Sequence, residues 1–218
     1  MRPVIFTKQL AAAVSAGLAA SQSLAAAGDL ALNGSLVVDG VGTLDTQRRV
    51  IITSAGNDSG ITWTVKGTNQ SGAPITDSFA GGDTAAAQSN LDFLTVTSIY
   101  GSGATASTVT AGTSGTGSSE WRMPSAYVTP FILDIETFPG SGVTYNVEYT
   151  LDNFYGAPNQ ADSPMGHYTD PPNVVAALSA ATTQKSTQLT YPVRGWRVTI
   201  TAGTSPLLVE ALQGGIIQ

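Results

Sequence analysis

The chain has 218 residues, of which 42% are hydrophobic and only 11% charged, with a net charge of -6. Nine Lys and Arg residues with no basic run exclude the dense phosphate-neutralising footprint of a nucleic-acid-binding protein. The absence of Cys excludes disulfides, thiol catalysis, iron–sulfur clusters and cysteine-based zinc sites.

Residues 1–28 carry Arg2 and Lys8, then an Ala-rich stretch over residues 10–20, then Ala25-Ala26-Ala27. This order matches a secretory signal with an Ala-x-Ala cleavage site. It also matches an uncleaved arm, because Ser15, Ser21, Gln22 and Ser23 interrupt the apolar run. No stretch reaches the length of a transmembrane helix, so no membrane role is expected. Leu10, Val14 and Leu18 recur every four residues and predict a short helix over residues 8–20.

From residue 30 the pattern changes to strands and turns. Leu30 and Leu32 are separated from Leu36, Val37 and Val38 by Asn33-Gly34, a hairpin signal. A β-branched run covers residues 49–53, and Asn57-Asp58-Ser59-Gly60 is a turn. Ile61, Trp63 and Val65 alternate with Thr62, Thr64 and Lys66, the period of a half-buried strand. Further strands are expected at 94–100 and 107–110. Residues 113–119 read as a flexible Gly/Ser/Thr linker. The second half repeats the order: an apolar strand at 128–135, the turn Pro139-Gly140-Ser141-Gly142, then Val143, Tyr145, Val147 and Tyr149 alternating with polar residues. A long irregular loop at 152–172 precedes closing strands at 188–191, 195–201 and 206–212.

The halves also match in sequence. Ser59-Gly60-Ile61-Thr62-Trp63-Thr64-Val65 parallels Ser141-Gly142-Val143-Thr144-Tyr145-Asn146-Val147, each after a β-branched strand and a turn. Residues 93–97 parallel 191–195, and Thr-Ala-Gly-Thr-Ser occurs at 110–114 and 201–205. The expected fold is all-β: two tandem similar β-sandwich domains of jelly-roll or Ig-like type, at 29–115 and 120–218, behind a short N-terminal arm or helix at 1–28. Trp63 and Tyr145 should occupy equivalent buried positions.

Groups for chemistry are sparse. His167 shares the long loop with Asp152, Asp162 and Asp170, but their spacing matches no standard metal motif. Gly112-Thr113-Ser114-Gly115 falls short of the Gly-x-Ser-x-Gly hydrolase elbow, which needs a strand before it and a helix after it. Glycine runs such as 101–103 do not open a helix as phosphate binding requires. Trp63 and Tyr145 lie on the apolar phase of their strands, which suits a core better than a sugar platform. No catalytic, cofactor-binding or metal residues are assigned. Leu10, Val14, Leu18 and Trp121 are the candidate interface residues.

Residues 43–68, which include Arg48-Arg49-Val50-Ile51-Ile52-Thr53-Ser54-Ala55-Gly56-Asn57-Asp58-Ser59-Gly60, resemble a segment recurring in a group of tailed-bacteriophage virion proteins. Residues 93–99, 192–205 and the closing Gln213-Gly214-Gly215-Ile216 are also similar to that group. The resemblance spans most of residues 28–218 and rests on turns and strands, so it carries over no catalytic residue. It implies a non-enzymatic structural protein located in the virion: a capsid decoration, head–tail collar or tail component. Its partners would be other virion proteins and further copies of itself, with no cofactor. The alternative is a secreted bacterial β-sandwich adhesin or carbohydrate-binding module with residues 1–27 as its signal. On the first reading, deleting residues 1–27 should leave folded β domains and abolish incorporation into particles.

Overall fold

The computed structural model describes residues 3–125, 128–151 and 173–217. The chain is all-β. In chain order the strands are β1 (Val4–Lys8), β2 (Ala19–Gln22), β3 (Gly28–Asp29), β4 (Val37–Val38), β5 (Val41–Ser54), β6 (Thr62–Thr68), β7 (Pro74–Ala80), β8 (Ala86–Gly101), β9 (Val109–Ser118), β10 (Val128–Pro139), β11 (Thr144–Thr150), β12 (Asn173–Val174), β13 (Lys185–Leu189), β14 (Gly195–Ala202) and β15 (Leu207–Ile217). Among the described residues the only helical piece is the 3-10 turn Ala176–Leu178.

The chain divides into two compact units, and one is interrupted by the other. Residues 12–117 form the inner unit; residues 3–11 and the described residues from 118 onward form the outer unit. The outer unit therefore takes its first strand from one end of the chain and the rest from the other.

In the inner unit, the alternation of β6 points Trp63 and Val65 into a core with Val50 and Ile52 of β5, Phe93, Val96 and Ile99 of β8, and Val109 and Ala111 of β9. Arg48 is 1% exposed within this unit. It is held by an ion pair to Asp45 at 3.0 Å and by donation from Nη2 to the Ser114 carbonyl. A buried guanidinium is tolerable only with such partners. The Asn57-Asp58-Ser59-Gly60 turn is latched by Asp58, itself 1% exposed. The Asp58 carboxylate accepts from Ser54 Oγ and, at 2.7 Å, from the Ala106 N–H, while the Asp58 N–H donates to the Gly82 carbonyl.

In the outer unit, Leu133 and Ile135 of β10 and Leu207, Val209 and Ala211 of β15 share one core with Tyr145 and Val147 of β11 and Trp196 and Val198 of β14. Tyr145 Oη donates to the Thr183 carbonyl at 3.0 Å and shares a hydrogen bond with Thr137 Oγ1, which satisfies the one polar atom of a fully buried ring.

The two units share one pairing order. In the inner unit β2 pairs β9, β9 pairs β5, and β5 pairs chiefly the front half of β8, up to Phe93. The rear half of β8 pairs β6, and β6 pairs β7. In the outer unit β1 pairs β15, β15 pairs β10, and β10 pairs β13. Then β14 pairs β11, and β11 pairs β12. Strand for strand these orders coincide, with β8 corresponding to β13 and β14 joined end to end. Trp63 and Tyr145 are each the second residue of their strand, and each is 0% exposed. Residues 93–97 lie in mid-β8, and residues 191–194 lie between β13 and β14, the corresponding junction.

Three local expectations are corrected. Residues 8–20 contain no helix: Lys8 ends β1, an extended run and a turn follow, and β2 begins at Ala19. A short Ala-rich segment has little helical stability of its own, and here Leu10 enters the outer core while Leu18 enters the inner one. The hairpin turn is not at Asn33-Gly34. Their N–H groups instead bond to the Leu18 carbonyl, and Asp39-Gly40, both at positive φ, turn β4 into β5. The linker expected at 113–119 is largely strand, because β9 runs to Ser118. Just before it, Gly112 serves a close approach: a Cβ there would collide with the backbone of Val14 and Ser15.

Candidate assembly surface

The β10 strand buries Leu133, Ile135 and Thr137 on one face, so Asp134 and Glu136 project from the other. The same alternation in β15 buries Leu207, Val209 and Ala211 and turns Leu208, Glu210 and Leu212 outward. The register then makes neighbours of residues far apart in sequence. Glu136 lies directly opposite Glu210, and Asp134 opposite Leu212. On the far side of β10, Glu136 faces Ser186 and Asp134 faces Gln188 of β13. On the far side of β15, Ile5 of β1 faces Glu210.

This outer face of the β1–β15–β10–β13 sheet is concave. It encloses about 610 Å³ lined by Pro3, Asp134, Glu136, Gln188, Glu210 and Leu212 among others. Gln188 Nε2 donates to Asp134 Oδ1 at 2.8 Å, and Gln184 Nε2 donates to Glu136 Oε1 at 3.0 Å. Among the described residues no basic side chain forms an ion pair with Asp134, Glu136 or Glu210. The nearby Lys185 sends its ammonium to the Ala177 carbonyl instead. Ile5 at 56% and Leu212 at 47% exposure place apolar surface beside the carboxylates.

The equivalent face of the inner unit is finished differently. Here the partly exposed Arg49 is paired with the buried Asp92 at 3.7 Å between β5 and β8. The segment at Val14 and Ser15 folds over Gly112 on that face, tied by the Thr113 N–H to the Val14 carbonyl and by the Val14 N–H to Thr113 Oγ1.

Of the residues expected at an interface, Leu10 and Leu18 are 1% and 0% exposed in the cores of their own chain, which corrects their assignment as contact residues. Val14 stays 38% exposed. Trp121 is half-buried and carries the Arg197 guanidinium over its ring at 4.7 Å. That guanidinium is itself held by Glu148 at 2.8 Å and Ser118 Oγ at 3.0 Å. A second such contact sets Arg122 4.0 Å from the Phe6 centroid, where β1 meets the residues that follow β9.

Ser114 sits in β9 with its Oγ accepting from the Thr116 N–H, a turn-forming role. Trp63, Tyr145 and Trp196 are core residues. Tyr191 is 43% exposed and packs edge-on against Tyr149 at 5.4 Å; burial, then the Tyr149 hydroxyl, push its phenol up to about 12. His167, Asp152, Asp162 and Asp170 lie outside the described residues. Among the described residues no three His, Asp or Glu side chains gather as metal ligands, and no helix is long and apolar enough to cross a membrane.

No family model matches the chain, and no curated protein matches it.

Sequence reasoning missed Asp134, Glu136 and Glu210. The alternation around Ile135 signalled that both β10 carboxylates share a face. Their meeting with Glu210 depends on a register between distant strands that no local pattern encodes.

Proposed function

We propose that the chain is a non-enzymatic structural component of a tailed-bacteriophage virion, built from two tandem β-sandwich domains that arose by duplication. It acts by packing against other virion proteins and copies of itself, as a capsid decoration, head–tail collar or tail component. The observation that carries this reading is where the phage-like motif falls in the fold. Arg48 bridges strands from inside the core, and Ser54 with Asp58 latches the turn after β5. A likeness made of scaffold residues reports shared architecture and does not report a shared reaction.

The shared pairing order of the two units supports the duplication, and the sparse charge supports life among neighbours. The secreted-adhesin alternative requires cleavage after Ala27. That cut would remove β1 and β2 and with them Leu10, Leu18 and Ala19, all buried. Each leucine contributes roughly 1.5–3 kcal/mol by burial, so the alternative is the weaker reading.

Co-sedimentation with gradient-purified particles tests the proposal. The chain should stay with particles through a high-salt wash. Recovery only from the soluble fraction of the infected culture would refute it.

A further inference from the structure

We propose that the outer face of the β1–β15–β10–β13 sheet docks an extended, lysine- or arginine-bearing segment of a neighbouring protein. This rests on the virion reading for the identity of the neighbour but not for the chemistry of the face. The face combines a 610 Å³ concavity, exposed apolar side chains at Ile5 and Leu212, and carboxylates at Asp134, Glu136 and Glu210. Like charges directly across a ladder destabilise a sheet, and Glu136 with Glu210 is such a pair. A cation seated between them converts repulsion into two charge-assisted contacts.

The duplicate unit supplies the comparison. Its Arg49 is neutralised within the chain by Asp92, and a turn of the same chain at Val14 and Ser15 already packs over Gly112. The outer unit has the corresponding sheet, with no ion-pairing cation for its carboxylates among the described residues. A basic strand-like segment supplies both missing elements, the covering backbone and the countercharge.

The test uses the full-length chain and a variant with D134N, E136Q and E210Q together. The probe is a fluorescein-labelled peptide of alternating lysine and valine, with an alternating glutamate–valine peptide as control. Circular dichroism and thermal melting should show the variant folded and close to wild type in stability, since lost repulsion offsets the weakened hydrogen bonds from Gln188 to Asp134 and from Gln184 to Glu136. Wild type should bind the lysine peptide and not the glutamate peptide. The variant should bind about tenfold more weakly, and added salt should weaken wild-type binding. Failure of wild type to bind the lysine peptide overturns the proposal, as does equal binding by the variant. A concentration-dependent dimer that the triple variant abolishes also overturns it, because the occupant is then a second copy.

Particle incorporation separates this proposal from the virion reading. If the wild-type chain is absent from particles yet discriminates the peptides, the virion reading fails and the docking face stands. If wild type and variant incorporate at equal copy number and bind the peptide equally, the docking face fails and the virion reading stands.

Discussion

Glu136 and Glu210 stand directly opposite each other across the β10–β15 ladder, although β10 and β15 otherwise pack as partners over a common core. Removing one of these charges removes a repulsion. Glu210→Gln should therefore raise stability by about 0.2–1 kcal/mol, the range of a cross-strand pair. A urea titration reads this as a higher midpoint at unchanged slope. A lower midpoint would mean that Glu210 has a stabilising partner that outweighs Glu136.

Trp63 is fully buried, and its Nε1 has no hydrogen-bond acceptor. Trp63→Ala should cost roughly 3–5 kcal/mol through lost burial and the cavity left behind. Trp63→Phe should cost much less, since it keeps a ring in place and removes an unsatisfied donor. Equal losses in the two variants, measured by chemical denaturation, would contradict this account of the site.

Burial raises the phenol of Tyr145 above its ordinary value of 10.0, and its hydrogen bond with Thr137 offsets only part of that. The folded state therefore holds this proton more tightly than the unfolded state does. Unfolding releases the proton once pH passes 10.0, and stability should fall from there through the higher folded value. Below 10.0 both states are protonated and Tyr145 adds no pH dependence. Tyr145→Phe should flatten the alkaline limb of a stability-against-pH curve. An unchanged limb would place the effect elsewhere.

Strand phase was legible in the sequence wherever one face met a core. The period-two runs around Trp63 and Tyr145 predicted their burial, because alternation leaves only one set of side chains pointing inward. The N-terminal segment was not legible in the same way. Leu10, Val14 and Leu18 are spaced as on a helix face, yet Leu10 and Leu18 pack into two different cores through an extended chain. Residue spacing cannot reveal that a segment is divided between two units. The acidic face was half legible: Asp134 and Glu136 share a phase in β10, but Glu210 joins them only through long-range pairing.

That division of the N-terminal segment reverses the expected outcome of truncation. Removing residues 1–27 takes β1 from beside β15, β2 from beside β9, and Leu10 and Leu18 from the two cores. The truncated chain should lose cooperative unfolding or melt far below wild type, since each leucine alone contributes roughly 1.5–3 kcal/mol. A truncated chain with a wild-type melting curve would show that these strands are dispensable.

On the proposed function, this chain is a fixed part of a phage particle. Quantitative mass spectrometry of purified virions tests it most directly, by copy number and by the N-terminal peptide. The expected result is a reproducible copy number matching a symmetry of the head, collar or tail, with the N-terminal peptide still carrying Leu10. Absence of the chain from particles, or recovery of a secreted form beginning at Gly28, would contradict it.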